Sequence, residues 1–348
     1  MVTFKSVISI ILLTVFLVRL NTLAQNFNCV IQGKITAQST RKSLENVNVY
    51  ISGTTFGTTT DKYGIFRLES IPAGTHTLVA SIVGYKSENT QLTLKEGMKI
   101  EISFNLKEIN YQLNNVFVVG KIPTEWRENL EKFKDHFFGE SPFTSECKIV
   151  NPEVINFVKT DSNLIAKADQ LITINNNDLG YKITCNLIKF NWNEDDGVIK
   201  YLIESYFTEL KDSTGNLTNS WIKNRRKAYD GSLDNFLKSL IDNKLSDNGF
   251  KIYIQNSPSL KIISRKQIYE SEIISFYNKQ ITLNFDDYLR VQYFSNKSGI
   301  SKISWIKLLR PNILLDTYGY PLDPLAFEVY GDWSHMGMSI KLPRYYKP

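Results

Sequence analysis

Between Phe27 and Lys107 the chain is built from short apolar runs that change side at every residue and stop at turn residues. Val47, Val49 and Ile51 alternate with Asn46, Asn48 and Tyr50, and Leu78, Ala80 and Ile82 repeat the pattern. Alternation with period two is the mark of a strand with one buried face. Asp61-Lys62-Tyr63-Gly64, Pro72-Ala73-Gly74 and Gly84-Tyr85 separate the runs. Asp bonds its own backbone ahead and Gly accepts positive φ, so each cluster turns the chain. Val30–Ile35, Ile65–Leu68, Gln91–Leu94 and Ile100–Leu106 complete the set. About seven short strands with no helical period among them predict a β-sandwich over residues 27–107.

The same residues carry a resemblance. Gly33-Lys34-Ile35, Leu44-Glu45-Asn46-Val47-Asn48-Val49-Tyr50 and the run from Gly57 to Phe66, followed by Ile71-Pro72-Ala73-Gly74, Val79-Ala80 and Val83-Gly84-Tyr85-Lys86, resemble the carboxypeptidase regulatory-like domain in order and spacing. The resemblance implies a seven-stranded immunoglobulin/transthyretin-like sandwich. It implies no enzyme. A zinc carboxypeptidase needs three protein ligands and an open coordination position. His76, His136 and His335 are each followed at the third residue by Val79, Gly139 and Met338, none of them a ligand, and no His-Glu-x-x-His is present. No metal or other cofactor is expected.

The N-terminus reads as a secretory signal, residues 1–24. Lys5 opens it, Val7–Val18 is apolar except for Ser9 and Thr14, and Thr22-Leu23-Ala24 places small residues for cleavage after Ala24. Arg19 cuts the apolar run short of the roughly 18–20 residues that span a bilayer, so no transmembrane span is expected after cleavage. Cys29 lies too far downstream for lipidation. Removing Lys5 and Arg19 takes the formal charge from +6 to +4. Aromatic residues are not interleaved with the basic ones, so nucleic acid is not expected as a partner. The expected location is the periplasm or the outer-membrane surroundings. Cys29, Cys147 and Cys185 make an odd count in an oxidising compartment. Either Cys147 and Cys185 form a bridge, or all are small buried thiols.

Residues 108–123 read as a linker or strand. Leu113-Asn114-Asn115-Val116-Phe117-Val118-Val119 is similar to the segment that follows this sandwich in TonB-dependent receptors of the Bacteroidetes type. A 22-stranded barrel at roughly 10 residues per strand would use about 220 of the 229 residues from Gly120 to Pro348 before any loop, so a receptor is not expected. Residues 124–348 are expected to form a larger β-rich α+β domain with at least two amphipathic helices, the whole chain being mainly β. One helix starts with Thr124 as N-cap and carries Trp126, Leu130, Phe133 and Phe137 on one face. The other starts at Ser232, carries Leu233, Phe236, Leu237, Leu240, Ile241 and Leu245, and closes at Gly249. Strands are expected at Glu146–Val150, Val154–Val158, Leu171–Ile174, Phe250–Ile254, Leu260–Ile263, Ile281–Phe285, Leu289–Phe294 and Ile303–Leu308. A hairpin joins Tyr181–Phe190 to Gly197–Leu210 through Asn193-Glu194-Asp195-Asp196-Gly197. Cys147–Pro152, Leu179-Gly180-Tyr181, Asn224–Ser232, Gly331-Asp332-Trp333 and Leu342-Pro343 resemble the C-terminal half of exported Bacteroidetes proteins that carry the regulatory-like domain. That resemblance transfers no catalytic residue.

Among candidate sites, Glu194-Asp195-Asp196 lacks the alternate spacing of a calcium loop and reads as a solvated turn. Trp221, Arg225, Arg226 and Tyr229 could hold an anionic or sugar ligand by stacking and forked hydrogen bonds, or the arginines could pair with acids such as Asp230 or Asp234 and brace a helix. No Gly-x-Ser-x-Gly elbow or other catalytic set is present. The expectation is a non-enzymatic envelope protein that binds a protein or glycan partner or serves a structural role. The alternative is a carboxylate-dependent hydrolase of glycan or peptide in the C-terminal domain.

Overall fold

The computed structural model describes residues 29–109, 123–258, 266–278, 280–295, 301–323 and 325–348. The signal segment, most of the 108–123 linker and the strand expected at 260–263 lie outside them.

The chain is mainly β. In the N-terminal region β1 (Cys29–Ala37), β2 (Asn48–Ile51), β3 (Gly57–Thr59), β4 (Ile65–Ile71), β5 (Gly74–Ser81), β6 (Glu88–Leu94), β7 (Lys99–Glu101) and β8 (Phe104–Leu106) form two sheets. One has the order β4-β1-β7 with β8 also on β1, and the other is β3-β2-β5-β6. Ile31, Ile35, Val47, Val49, Ile51, Leu78 and Ala80 fill the core between them. There are eight strands where about seven were expected. The run Ile100–Leu106 breaks at Ile102, whose N–H bonds to the Gln32 carbonyl. A Cβ at Gly33 would overlap the Ile102 carbonyl, so glycine permits this crossing.

The other described residues hold two further cores. α1 (Thr124–Phe138) lays Leu130, Phe133 and Phe137 on a six-stranded sheet. The sheet is made of β9 (Cys147–Ile149), β10 (Ile155–Lys159), β11 (Asn163–Ala168), β12 (Ile172–Asn176), β13 (Tyr181–Asn193) and β14 (Ile199–Glu209). The ring of Phe133 meets Phe190 at 4.7 Å and Phe137 at 4.8 Å. Thr124 is the first helical residue and not the cap, since Pro123 takes the N-cap position without a side-chain bond. β13 and β14 form the expected hairpin: the Asn193 side chain accepts from the Asp195 and Asp196 N–H groups, and Gly197 has φ +70°. Glu194 is drawn to Lys132 at 3.1 Å and Lys159 at 3.6 Å.

α2 (Asn219–Tyr229), capped by Thr218, and α3 (Leu233–Ile241), capped by Ser232, follow. α3 ends at Ile241 and not near Gly249, because Asn243 takes φ +55°, a conformation Asn tolerates locally. Leu245 still reaches the core beyond that turn. β15 (Phe250–Gln255), β16 (Lys266–Ile268), α4 (Glu270–Ile273), β17 (Ile274–Tyr277), β18 (Gln280–Leu283), β19 (Tyr288–Phe294), β20 (Ser301–Leu308), β21 (Ile313–Leu315) and β22 (Phe327–Gly331) complete the chain. They form a five-stranded sheet, β16-β15-β19-β20-β22, and a three-stranded one, β17-β18-β21. Phe236, Leu237 and Leu240 of α3 pack into this third core.

The sandwich is docked on the second core. Tyr50 and Val79 are buried although their neighbours Val49, Ile51, Leu78 and Ala80 already fill the sandwich interior. They therefore point from the other face of their sheet. Tyr50 stacks on Tyr206 at 5.5 Å, and Asn89 donates to Glu204 at 2.6 Å. The Gly53 N–H bonds to the Ser205 carbonyl at 2.6 Å, and the Phe207 N–H to the Thr54 carbonyl at 2.9 Å. The C-terminal tail closes the seam, with the Arg344 N–H bonding to the Gly53 carbonyl at 2.6 Å.

Candidate functional site

The four residues nominated from the sequence lie on α2, and the structure divides them. Trp221 faces the loop before β13. Its indole N–H bonds to the Asn177 carbonyl at 2.7 Å, and its ring covers Gly180, where a Cβ would overlap it. One turn on, Arg225 is buried. Its guanidinium donates to the Leu179 carbonyl at 2.7 Å, the Gly180 carbonyl at 3.0 Å and Glu209 at 2.6 Å, and sits 3.9 Å from the centre of the Tyr181 ring. Arg226 is exposed and pairs with Asp230 at 3.0 Å. Tyr229, at the end of the helix, points elsewhere, to the C-terminal tail and the Tyr346 ring at 5.6 Å.

Cys147 and Cys185 are free and buried, so the bridge is not formed. Cys147 pairs with Asn176 on β12 and Cys185 pairs with Ile172 on the same strand. β12 thus stands between them. Two strand spacings place their Cα atoms about 9.5 Å apart or more, beyond the reach of a disulfide. Burial pushes each thiol up to about 12.

Tyr229 leads to a crevice that the sequence does not announce. Five tyrosines line it, Tyr229, Tyr318, Tyr320, Tyr345 and Tyr346, together with Asp234 and Lys238 of α3 and Leu342, Pro343 and Lys347 of the tail. Its enclosed volume is about 60 Å³. Asp316 shapes one wall: one carboxylate oxygen accepts from the Tyr318 and Tyr320 N–H groups at 2.8 and 3.0 Å, and the other takes Arg344 at 2.6 Å. Arg344 in turn lies over the Tyr320 ring at 4.2 Å. Opposite, Asp234 holds Lys341 at 3.1 and 3.3 Å.

Tyr345 has φ +70°, an uncommon conformation for a bulky residue. Its ring meets Tyr318 edge-on at 4.2 Å. His76 Nε2 lies 2.8 Å from the Pro72 carbonyl, which can only accept, so Nε2 carries the proton. Nδ1 is then free to accept from the Tyr345 hydroxyl at 3.4 Å. Burial lowers the His76 pKa and keeps the ring neutral. Burial also raises the Tyr229 hydroxyl to about 12, and Tyr320 and Tyr345 above the usual phenol value. All three stay protonated at neutral pH.

Among the described residues no group of three or more His, Cys, Asp and Glu side chains is placed to hold a metal ion. Nor is any helix among them long and apolar enough to cross a membrane. The signal for the crevice was the tyrosine density between Tyr318 and Tyr346, but those tyrosines show no periodicity and meet Tyr229 only through the fold.

A CarboxypepD_reg-like domain is present at residues 31–118. No curated protein matches the chain. Among solved structures, the minor pilin GBS52 of Streptococcus agalactiae is 14% identical over 28% of this chain and 47% of that one, with a TM-score of 0.21. This chain thus spans about half of that pilin's length. A type II cohesin–X-dockerin complex of Acetivibrio cellulolyticus is 18% identical, covering 32% of this chain and 76% of that one, with a TM-score of 0.21. The major pilin subunit BcpA of Bacillus cereus is 10% identical, covering 82% and 94%, with a TM-score of 0.20.

Proposed function

We propose that the protein is a non-enzymatic exported module of the cell envelope that binds a partner at the junction of its cores. In this reading the signal segment is removed near Ala24, and the protein is periplasmic or associated with the outer membrane. The sandwich is a transthyretin-like accessory of the Bacteroidetes type. The observation that carries the reading is the junction itself. Backbone hydrogen bonds weld the 53–54 turn to β14 on one side and to the tail on the other, and the tyrosine crevice opens beside that weld. A rigid seam with ring-lined walls suits recognition, because little order is lost when a partner is taken up.

The carboxylates at the crevice fit holding better than hydrolysis. Asp316 is tied to Arg344 and Asp234 to Lys341, so each carboxylate is already engaged by a cation. The test is affinity capture from envelope extracts by the mature protein and by a Tyr318→Ala/Tyr346→Ala variant whose thermal melt matches it. The reading expects capture by the first and its loss with the second. Equal capture by both, or turnover of envelope glycan or peptide by the mature protein, would sink it.

A further inference from the structure

The geometry points to a saccharide as the crevice ligand, with the sugar ring against the tyrosines and an acidic group of the sugar at the lysine rim. This inference rests on the binding reading above and gives that site a ligand class. Two ring pairs bound the opening: Tyr229 with Tyr346, and Tyr318 with Tyr345. Sugar rings present C–H faces that pack on aromatic rings, and hydroxyls that need both donors and acceptors. A tyrosine hydroxyl serves as either. No hydrogen bond joins the hydroxyl of Tyr229, Tyr318, Tyr320 or Tyr346 to another described residue, whereas the Tyr345 hydroxyl has His76. Four hydroxyls with unused capacity therefore sit around one opening.

Asp234 adds an acceptor. Its carboxylate takes one ammonium, that of Lys341, on its two oxygens. A carboxylate has about four lone-pair sites, which leaves room for sugar hydroxyls. Lys238 lies 5.6 Å from the centre of the Tyr318 ring and bonds to the exposed Asp242, and Lys347 is exposed on the tail. These two ammonium groups favour a ligand that carries a carboxylate. The space of about 60 Å³ admits the edge of one ring. The left-handed backbone at Tyr345, which keeps its ring against Tyr318, is a fixed local arrangement of the kind found at ligand clamps.

The experiment is calorimetric titration of the mature protein with oligogalacturonate and, in parallel, with a neutral oligosaccharide of equal length. Oligogalacturonate is expected to bind more tightly than the neutral chain. Tyr346→Ala should weaken it by about tenfold or more, the scale of a truncated aromatic anchor. Tyr346→Phe, which preserves the packing on Tyr229, should cost less, and Lys238→Gln should weaken the acidic ligand while leaving any neutral binding unchanged. Failure of both saccharides to bind at roughly millimolar concentration, or binding that Tyr346→Ala leaves unchanged, overturns the inference. If saccharides fail but the crevice variant still loses envelope capture, the ligand class is wrong and the binding reading stands. If capture is also unaffected, both fall.

Discussion

Replacing Arg225 by alanine tests whether the basic patch on α2 is architecture. The guanidinium satisfies the Leu179 carbonyl, shares the Gly180 carbonyl with the Leu210 N–H, and covers the buried Tyr181 ring. Truncation leaves the Leu179 carbonyl buried without its donor, which costs about 1–3 kcal/mol. Loss of a desolvated cation–π contact adds about 1–2 kcal/mol. The pair with the half-exposed Glu209 contributes under about 1 kcal/mol. The expected destabilisation is therefore about 2–6 kcal/mol. Arg225→Lys should recover part of it, since an ammonium reaches one acceptor but cannot fork to three. Urea unfolding followed by tryptophan fluorescence reads both, with Trp221 one turn away as a local reporter. An alanine variant within about 1 kcal/mol of wild type would refute the argument and return Arg225 to the list of ligand-facing groups.

Glu204 is buried at the seam and is held by Asn89 at 2.6 Å and Asn186 at 2.8 Å. Burial raises its pKa above the ordinary value. Its stabilising contribution is then complete below the unfolded carboxylate value and is lost as pH rises through the folded one. Melts run upward in pH from the unfolded carboxylate value of about 4.3 should show Glu204→Gln gaining on wild type as pH rises, and a constant difference would count against it. Gly180→Ala should cost about 2–4 kcal/mol, because Gly180 has φ +65° and its Cβ would overlap the Trp221 ring; an unchanged urea midpoint would refute that packing. The three cysteines are buried and free, so a thiol-specific reagent should react slowly with the native protein and count all three in denaturant. A lower count would restore the Cys147–Cys185 bridge.

The inward half of the sandwich was legible because burial there follows the period of the strand. Val49 and Ile51 were predicted inward and are buried. The outward half was not. Tyr50 sits on the face that alternation gives to water, yet it is buried against Tyr206, and only the fold brings those two strands together. On α2 the basic and aromatic residues were visible as a group, but their direction was not. Gly180 decides it, by leaving the space that the Trp221 ring fills and a carbonyl that Arg225 can reach. The missed strands β3, β11, β16, β17, β21 and β22 are short or polar, and their pairing partners define them. α3 was found by its apolar period, and its end was misplaced because Leu245 keeps the period after Asn243 has already turned the backbone.

The crevice was least legible because its parts do two jobs. Arg344 bonds through its backbone to Gly53 of the sandwich and through its side chain to Asp316. Tyr345 touches His76 of the sandwich and Tyr318 of the third core, and Tyr346 reaches Tyr229 next to the second core. Three consecutive residues thus join all three cores, and two of them, Tyr345 and Tyr346, also line the opening. A ligand that binds only when these residues are in place must favour the docked state over the undocked one, by the linkage that ties any native-state ligand to stability. Ligand affinity and sandwich docking are then one equilibrium measured from two ends. Gly57→Ala makes the point from the far side: its Cβ would press on the Tyr206 ring at the seam, so the substitution should weaken docking and, with it, binding at a crevice that Gly57 does not line.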